Sequence, residues 1–288
     1  MKSLIINADD LGADEARNRG IFEAIEAGRV TSVSVLVNGD GFEDAMERWR
    51  TLDTKEISLG IHINLSEGRP ISQGLRLLTG KDGVFLGKWT THDLLKQPSN
   101  AELANEIQRE IKAQIGRLRA FKTPIIHLDG HQHIHVMPAV LPIAIDEVLE
   151  QKIFWIRIPD EPNPSIPNLM AAQPDSQNKM AMFGSLGAAA RSFIMLSEIE
   201  SCDHFRGLYL KGKLNITLLD ELLRDLPMGL TEWMVHPGRV TGAISAGPFA
   251  AFSTVERERE LDTLLDPVFP TLLEKYGINL IPFPKNLL

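Results

Sequence analysis

The chain has 288 residues, 43% hydrophobic and 24% charged, a balance that suits a folded globular protein and excludes disordered and collagen-like classes. Its net charge of -8 and pI near 5.5, with Lys and Arg scattered along the chain, argue against a nucleic-acid partner. The length can fill one large domain, and no repeat or linker-like stretch divides it.

The N-terminal MKSLIINADD has an apolar run too short for a signal peptide. The most apolar stretch, LGAAARSFIMLS, is interrupted by Arg191 and falls short of the roughly 18 residues that a membrane span needs. A cytoplasmic protein with no membrane span is expected. The single cysteine, Cys202, sits beside Asp203 with no basic neighbour and reads as a small buried side chain.

In chain order, LIINA (4–8), SVSVLV (32–37), ISLGIHINL (57–65), PIIHLD (124–129), FWIRIP (154–159), FRGLYL (205–210), TEWMVH (231–236) and INLIPF (278–283) read as strands. Helical periods lie between them, most plainly where Leu103, Ile107, Ile111, Ile115 and Leu118 mark one face. This α/β alternation predicts a (β/α) barrel, complete or distorted and TIM-barrel-like, forming a single domain over 1–288. A dinucleotide-binding sheet is disfavoured, because ADDLGADE stands where G-x-G-x-x-G should follow the first strand. Two long segments, 66–98 and 160–183, are expected as loops over the barrel mouth.

Polar residues collect at the predicted strand ends, where a barrel builds its active site. Asp9 and Asp10 end the first, His62 the third, His127, Asp129 and His131 the fourth, and Glu232 and His236 the seventh, with Arg157 in the fifth. In the fourth, alternation turns Ile126 and Leu128 toward the helices and His127 and Asp129 inward. The run HLDGHQHIHV (127–136) holds half of the eight histidines. At roughly 3.3 Å per residue, however, an extended chain sets its first and last imidazoles about 26 Å apart, so one cage of four requires the chain to fold back. Gly130 is where it can turn, and His131 reads as a ligand carried on that turn.

Asp10, His62 and His131 together supply one carboxylate and two imidazoles, the donor set of a hydrolytic metal site with positions open for water and substrate. Asp9 is then placed to act as the base, although the two aspartates can exchange roles, and a helix-capping pair is the competing reading. His236, expected across the barrel from Asp9, suits a protonated acid for a leaving amine. Asp129 can orient a ligand histidine through its second ring nitrogen. His127 reads as support, His133 and His135 as rim residues that bind substrate or back up the ligands, and Arg157 and Glu232 as orienting or substrate-binding groups. His92 and His204 read as ordinary structural or surface residues.

The motifs NADDLG, GIHINL (60–65), HLDGHQHIHV and VHPG (235–238), in this order, resemble those of the YdjC-like carbohydrate deacetylases, the family that includes chitooligosaccharide deacetylase and the hopanoid-associated deacetylases. RIPDEP (157–162) and DHFRGLYL (203–210) look like loops of the hopanoid-associated branch. The resemblance implies a metal hydrolase that removes acetyl from an N-acetylated sugar. Asp10, His62 and His131 match its ligands, Asp9 its base and His236 its acid. It implies magnesium, whereas two imidazole ligands favour zinc or another transition metal. A small acetylated saccharide is the expected partner, and a homodimer is suggested by resemblance alone. The rivals are an amidohydrolase or phosphoesterase, which would open with H-x-H where ADD stands, and a sugar-binding protein without turnover.

Overall fold

A computed structural model describes residues 1–162, 174–195, 197–240, 248–249 and 254–284, with backbone alone for 174–180. Each predicted strand is present: β1 (Lys2–Leu11), β2 (Ser32–Val35), β3 (Ser58–Ile63), β4 (His127–Gly130), β5 (Trp155–Ile156), β6 (His204–Arg206), β7 (Gly229–Val235) and β8 (Ile278–Leu280). The helices are α1 (Glu15–Glu26), α2 (Phe42–Thr51), α3 (Lys88–Leu95), α4 (Ala101–Arg119), α5 (Leu141–Glu150), α6 (Pro174–Ile194), α7 (Ile216–Asp225), α8 (Val255–Leu265) and α9 (Val268–Tyr276). Among the described residues, three helix starts have a side-chain oxygen that accepts a first-turn N–H: that of Asp14 in α1, Asn100 in α4 and Asn215 in α7.

All named ladders are parallel, in the order β5-β4-β3-β2-β1-β7-β6. This is the order of a ring opened between β5 and β6. A flat sheet would separate β5 from β7 by five strand spacings of about 4.8 Å, yet Arg157 Nε, just past β5, lies 2.7 Å from Glu232 Oε1 on β7. The sheet therefore curls, and the result is a single parallel α/β domain with helices packed on it. No strand ladder joins β5 to β6 among the described residues. There Glu200 N–H donates to the Phe154 carbonyl, and Ile156 N–H to the Glu200 carbonyl, so the chain before β6 clasps the short β5.

β8 is not a stave of the ring. It pairs with the foot of β1 at Lys2–Leu4, an edge that β2 reaches only from Asn7 onward. The chain beyond β8 then sends Phe283 into the foot of the ring, where it packs with Ile5, Trp155 and Cys202. Ile126 joins this inner cluster, contrary to the outward placement that alternation predicts, because it precedes the regular part of β4. Leu128 faces the helices with Leu4, Ile6, Val33, Ile61 and Trp233, as expected.

The predicted face of α4 is buried throughout, and a second row beside it, Glu106, Glu110 and Gln114, is buried although polar. These side chains organise the first long segment. Glu106 accepts the N–H groups of Arg76, Leu77 and Leu78, Glu110 those of Ile71 and Ser72, and Gln114 that of Asn64. Segment 66–98 is thus a braced excursion ending in α3. Of segment 160–183, residues 163–173 lie outside the described residues and α6 begins at Pro174. No helix among the described residues is long and apolar enough to cross a membrane.

Candidate metal centre

Along β1, alternation turns Ile5, Asn7 and Asp9 inward, and a regular strand would then aim Asp10 at the helices. The ladder to β2 shifts between Ala8 and Leu11, and Asp10 takes a left-handed backbone with φ 68. Asp is one of the few residues for which that region is accessible at modest cost. Neighbouring carboxylates therefore reach the same centre.

Asp10 Oδ1 lies 3.4 Å from His62 Nε2 and 3.0 Å from His131 Nδ1, all three side chains being buried. One donor atom from each residue falls within 4.8 Å of the others, so the three fit a divalent cation as a facial set of one oxygen and two nitrogens. His131 reaches this place because the chain leaves β4 at Gly130 and winds into a short 3-10 turn (His131–Val136). In this turn Gln132 and His133 both adopt left-handed backbone, with φ 56 and 57.

The second nitrogen of His62, Nδ1, donates to Asp129 Oδ1 at 2.7 Å, which leaves Nε2 directed at Asp10. Burial would push the Asp10 carboxyl up, but His131, Arg257 and the hydrogen bonds from His131 and His62 hold it well below its usual range. Burial likewise disfavours a charged His62, yet Asp129 and Asp10 outweigh it and raise that imidazole to about 10.

Arg157 is fully buried and serves as a hub. Its Nη1 and Nη2 bind both oxygens of Asp9 at 2.7 and 2.6 Å, Nη2 also meets Asp129 Oδ2 at 2.7 Å, and Nε meets Glu232 Oε1 at 2.7 Å. It follows the last residue of β5 rather than lying inside it. Asp9, His62 and Asp129 also meet the spacing for a cation, but the guanidinium already engages both carboxylates. Asn7 Nδ2 donates to Asp9 Oδ1 at 2.8 Å and fixes its orientation further.

The four clustered histidines separate. His127 lies at the foot of the interior, stacked on Phe283 with ring centres 4.3 Å apart. A Cβ on Gly60 would come within 2.3 Å of its ring, so β3 needs glycine there. Neither ring nitrogen of His127 has a hydrogen-bond partner among the described residues, and burial pulls its pKa down to about 3. His133 and His135 are not at a solvated rim, as the sequence suggested, but buried. The left-handed pair folds the chain back, so that His133 packs against Phe183 and Phe205 while His135 lies against Gly130, with Nε2 2.9 Å from the Arg157 carbonyl.

His236 is beside Asp9 rather than across the ring from it, because β7 pairs directly with β1 and Val235 stands in register with Ala8. Its Nε2 is 4.0 Å from Asp9 Oδ2. Burial, with Lys211 and Arg257 nearby, keeps its pKa well below the ordinary value, so the imidazole is neutral and not the protonated group expected from the sequence. Its backbone N–H donates to Glu260 Oε1 at 2.8 Å. A cavity of about 100 Å³ opens here, lined by Lys211, His236, Arg257 and Glu260 among others.

Three neighbours escaped the sequence reading. Glu67 Oε2 lies 3.1 Å from His131 Nε2, Arg257 Nη2 donates to Asp10 Oδ2 at 2.7 Å, and Arg17 Nη1 is 4.0 Å from the same oxygen. Glu67 follows a strand end and was open to the same placement argument. Arg257 stands in the charge run ERERE and Arg17 inside a helix, where nothing local marks them.

The chain matches the family of YdjC-like proteins over residues 3–275 and belongs to it. Two relatives are each named carbohydrate deacetylase. One, from Brevibacillus brevis, is 38% identical over 98% of both chains; the other, from Mus musculus, is 31% identical over 96% of this chain and 92% of its own. A solved structure from Enterococcus faecalis, provisionally named a cellobiose-phosphate cleavage protein, shares the fold with a TM-score of 0.73 at 21% identity, over 98% of this chain and 97% of its own.

Proposed function

We propose that this chain is a metal-dependent hydrolase that removes the acetyl group from an N-acetylated sugar. The observation that carries the proposal is the convergence of Asp10 Oδ1, His62 Nε2 and His131 Nδ1 from three separate strand ends, in a chain whose relatives are named carbohydrate deacetylases. A divalent cation held by these three would polarise the acetyl carbonyl and acidify water. Zinc or another transition metal suits the two imidazoles, and magnesium is the alternative implied by family resemblance.

Asp9 takes the proton of the attacking water. Arg157 and Asn7 hold its carboxylate in one orientation, so that little motion is needed when the proton arrives. His236, neutral at rest and 4.0 Å from Asp9 Oδ2, receives that proton from Asp9 and delivers it to the leaving amine, which leaves Asp9 ionised again. Asp129 accepts from Nδ1 of His62, so that Nε2 is the nitrogen that would ligate once a cation displaces its proton. Segment 66–98 borders the mouth in this reading.

The test is acetate release from diacetylchitobiose by the metal-loaded protein. A chelator or His62→Ala should lower it by at least about a hundredfold, with activity restored by metal in the first case only. Metal-loaded protein that releases no acetate from a panel of N-acetyl sugars would overturn the proposal.

A further inference from the structure

Each imidazole of the candidate centre turns one nitrogen toward Asp10 and the other toward a second carboxylate. For His62 the backing group is Asp129, whose Oδ1 is 2.7 Å from Nδ1. For His131 it is Glu67, whose Oε2 is 3.1 Å from Nε2 while Nδ1 lies 3.0 Å from Asp10 Oδ1. The two nitrogens of an imidazole point in different directions from the ring, so Glu67 stands behind His131 as seen from Asp10. It backs the trio of Asp10, His62 and His131 without being a member of it. The two backing groups differ in setting. The Asp129 side chain is fully buried and tied to Arg157, whereas that of Glu67 is 16% exposed.

Glu67 is delivered to this place by β3. Two residues beyond His62, Asn64 is locked to α4, its N–H donating to Gln114 Oε1 at 3.0 Å and its carbonyl accepting from Gln114 Nε2 at 2.6 Å. The Asn64 side chain then holds the turn that follows. Its Oδ1 accepts the N–H groups of Ser66 and Glu67 at 2.9 and 3.2 Å, and its Nδ2 donates to the Glu67 carbonyl at 2.7 Å. Asn38 Nδ2 donates to the same carbonyl at 3.1 Å. Gly68 follows with φ 75, a left-handed conformation that favours glycine, and turns the chain into the braced excursion. The Glu67 backbone is thus fixed at both its N–H and its carbonyl, so that only side-chain torsions remain to place the carboxylate, which lowers the entropic cost of holding it against His131.

We infer that Glu67 is the positioning residue for His131: its carboxylate accepts from Nε2 and so fixes the ring with Nδ1 directed to the place of the cation. The inference rests on the metal-site part of the proposed function. A carboxylate behind a ligand imidazole sets its tautomer and strengthens the coordinating nitrogen. β3 therefore serves both imidazoles, carrying His62 itself and, through Asn64, the group that orients His131.

Two measurements test it without using turnover. In competition for zinc against a chromophoric chelator, Glu67→Ala should bind about 10–100-fold more weakly than the wild type. Glu67→Gln, which keeps an acceptor oxygen and loses the charge, should fall between the two. The metal-free Glu67→Ala protein should melt with the wild type, because the turn is held through the Glu67 backbone. In heteronuclear NMR of the zinc-loaded protein, His131 Nε2 should give an N–H signal protected from solvent exchange. Glu67→Ala should abolish that protection and leave in place the signal of His62 Nδ1, which is bound to Asp129. Wild-type zinc affinity in Glu67→Ala, a Glu67→Gln protein as weak as Glu67→Ala, or an unchanged His131 signal would overturn the inference. So would a metal-free Glu67→Ala protein that melts far below the wild type, which would assign the side chain to the fold instead. Weakened zinc binding and a lost signal, with no acetate released from any N-acetyl sugar by the wild type, leave the positioning role standing and remove the deacetylase reading. Acetate release together with wild-type zinc affinity in Glu67→Ala does the reverse.

Discussion

Asp129 illustrates how one buried side chain sets the chemistry of another. Its Oδ1 accepts from His62 Nδ1, and its Oδ2 meets Arg157. Burial alone would raise this carboxyl, but Arg157 and His62 keep it ionised, far below its ordinary range. The charge holds His62 with Nε2 toward Asp10 and would strengthen it as a donor to a cation. We expect Asp129→Asn to weaken zinc or magnesium binding by about 10–100-fold while the protein stays folded. Competition against a chromophoric chelator measures this, and unchanged affinity would remove the orienting role. Asp10 shows a different dependence on context. Its type and place were legible in NADDLG, but its direction was not, because it depends on a shifted ladder and a left-handed φ of 68.

At the scale of elements, α4 does more than pack. The apolar row Leu103, Ile107, Ile111 and Ile115 was readable from its period, and it is buried as expected. The adjacent row Glu106, Glu110 and Gln114 is polar, and helical period alone would leave it on the solvent side. Each of these residues instead accepts backbone N–H groups of a segment with little regular structure of its own, and that partner cannot be inferred from helical periodicity. Glu106→Ala would leave the N–H groups of Arg76, Leu77 and Leu78 without their acceptor, a loss of about 1–3 kcal/mol. We expect new protease cleavage around 70–80 and a lower denaturant midpoint; cleavage identical to the wild type would contradict the bracing role. The two left-handed residues of the HQHIHV turn belong to the same scale. The sequence suggested a rim position for His133 and His135, whereas the turn sends them back into the interior.

At the scale of the whole molecule, buried carboxylates outnumber buried guanidinium groups among the described residues, and their ionisation should set the pH dependence of stability. Glu161 is the clearest case because it stands apart from the candidate metal ligands. Burial lifts its pKa to about 7, outweighing the N–H groups of Leu208, Gly207 and Tyr209 and the nearby Arg206. In the unfolded chain it titrates near 4.5. Below that pH both states hold the proton. Between about 4.5 and 7 only the unfolded state has released it, so stability falls as pH rises through this window and levels off above it. Glu161→Gln removes this contribution. The melting temperature of the wild type should therefore drop relative to the variant by a few degrees between pH 5 and pH 8; parallel curves would show that Glu161 does not titrate there.

By itself the sequence determined the strands, their α/β alternation, the strand-end positions of the polar residues, and the candidate trio Asp10, His62 and His131, which the structure brings together. These follow from local period and from the general position of active sites on such sheets. Tertiary structure decided the rest. It opened the ring between β5 and β6, set β8 against the foot of β1, placed His236 beside Asp9, and drew Arg17 and Arg257 to Asp10. The reason is that strand order, backbone inversion and ion-pair partnership depend on residues tens to hundreds of positions away, as with Asp10 and Arg257, separated by 247 positions. A local pattern carries no record of such a neighbour.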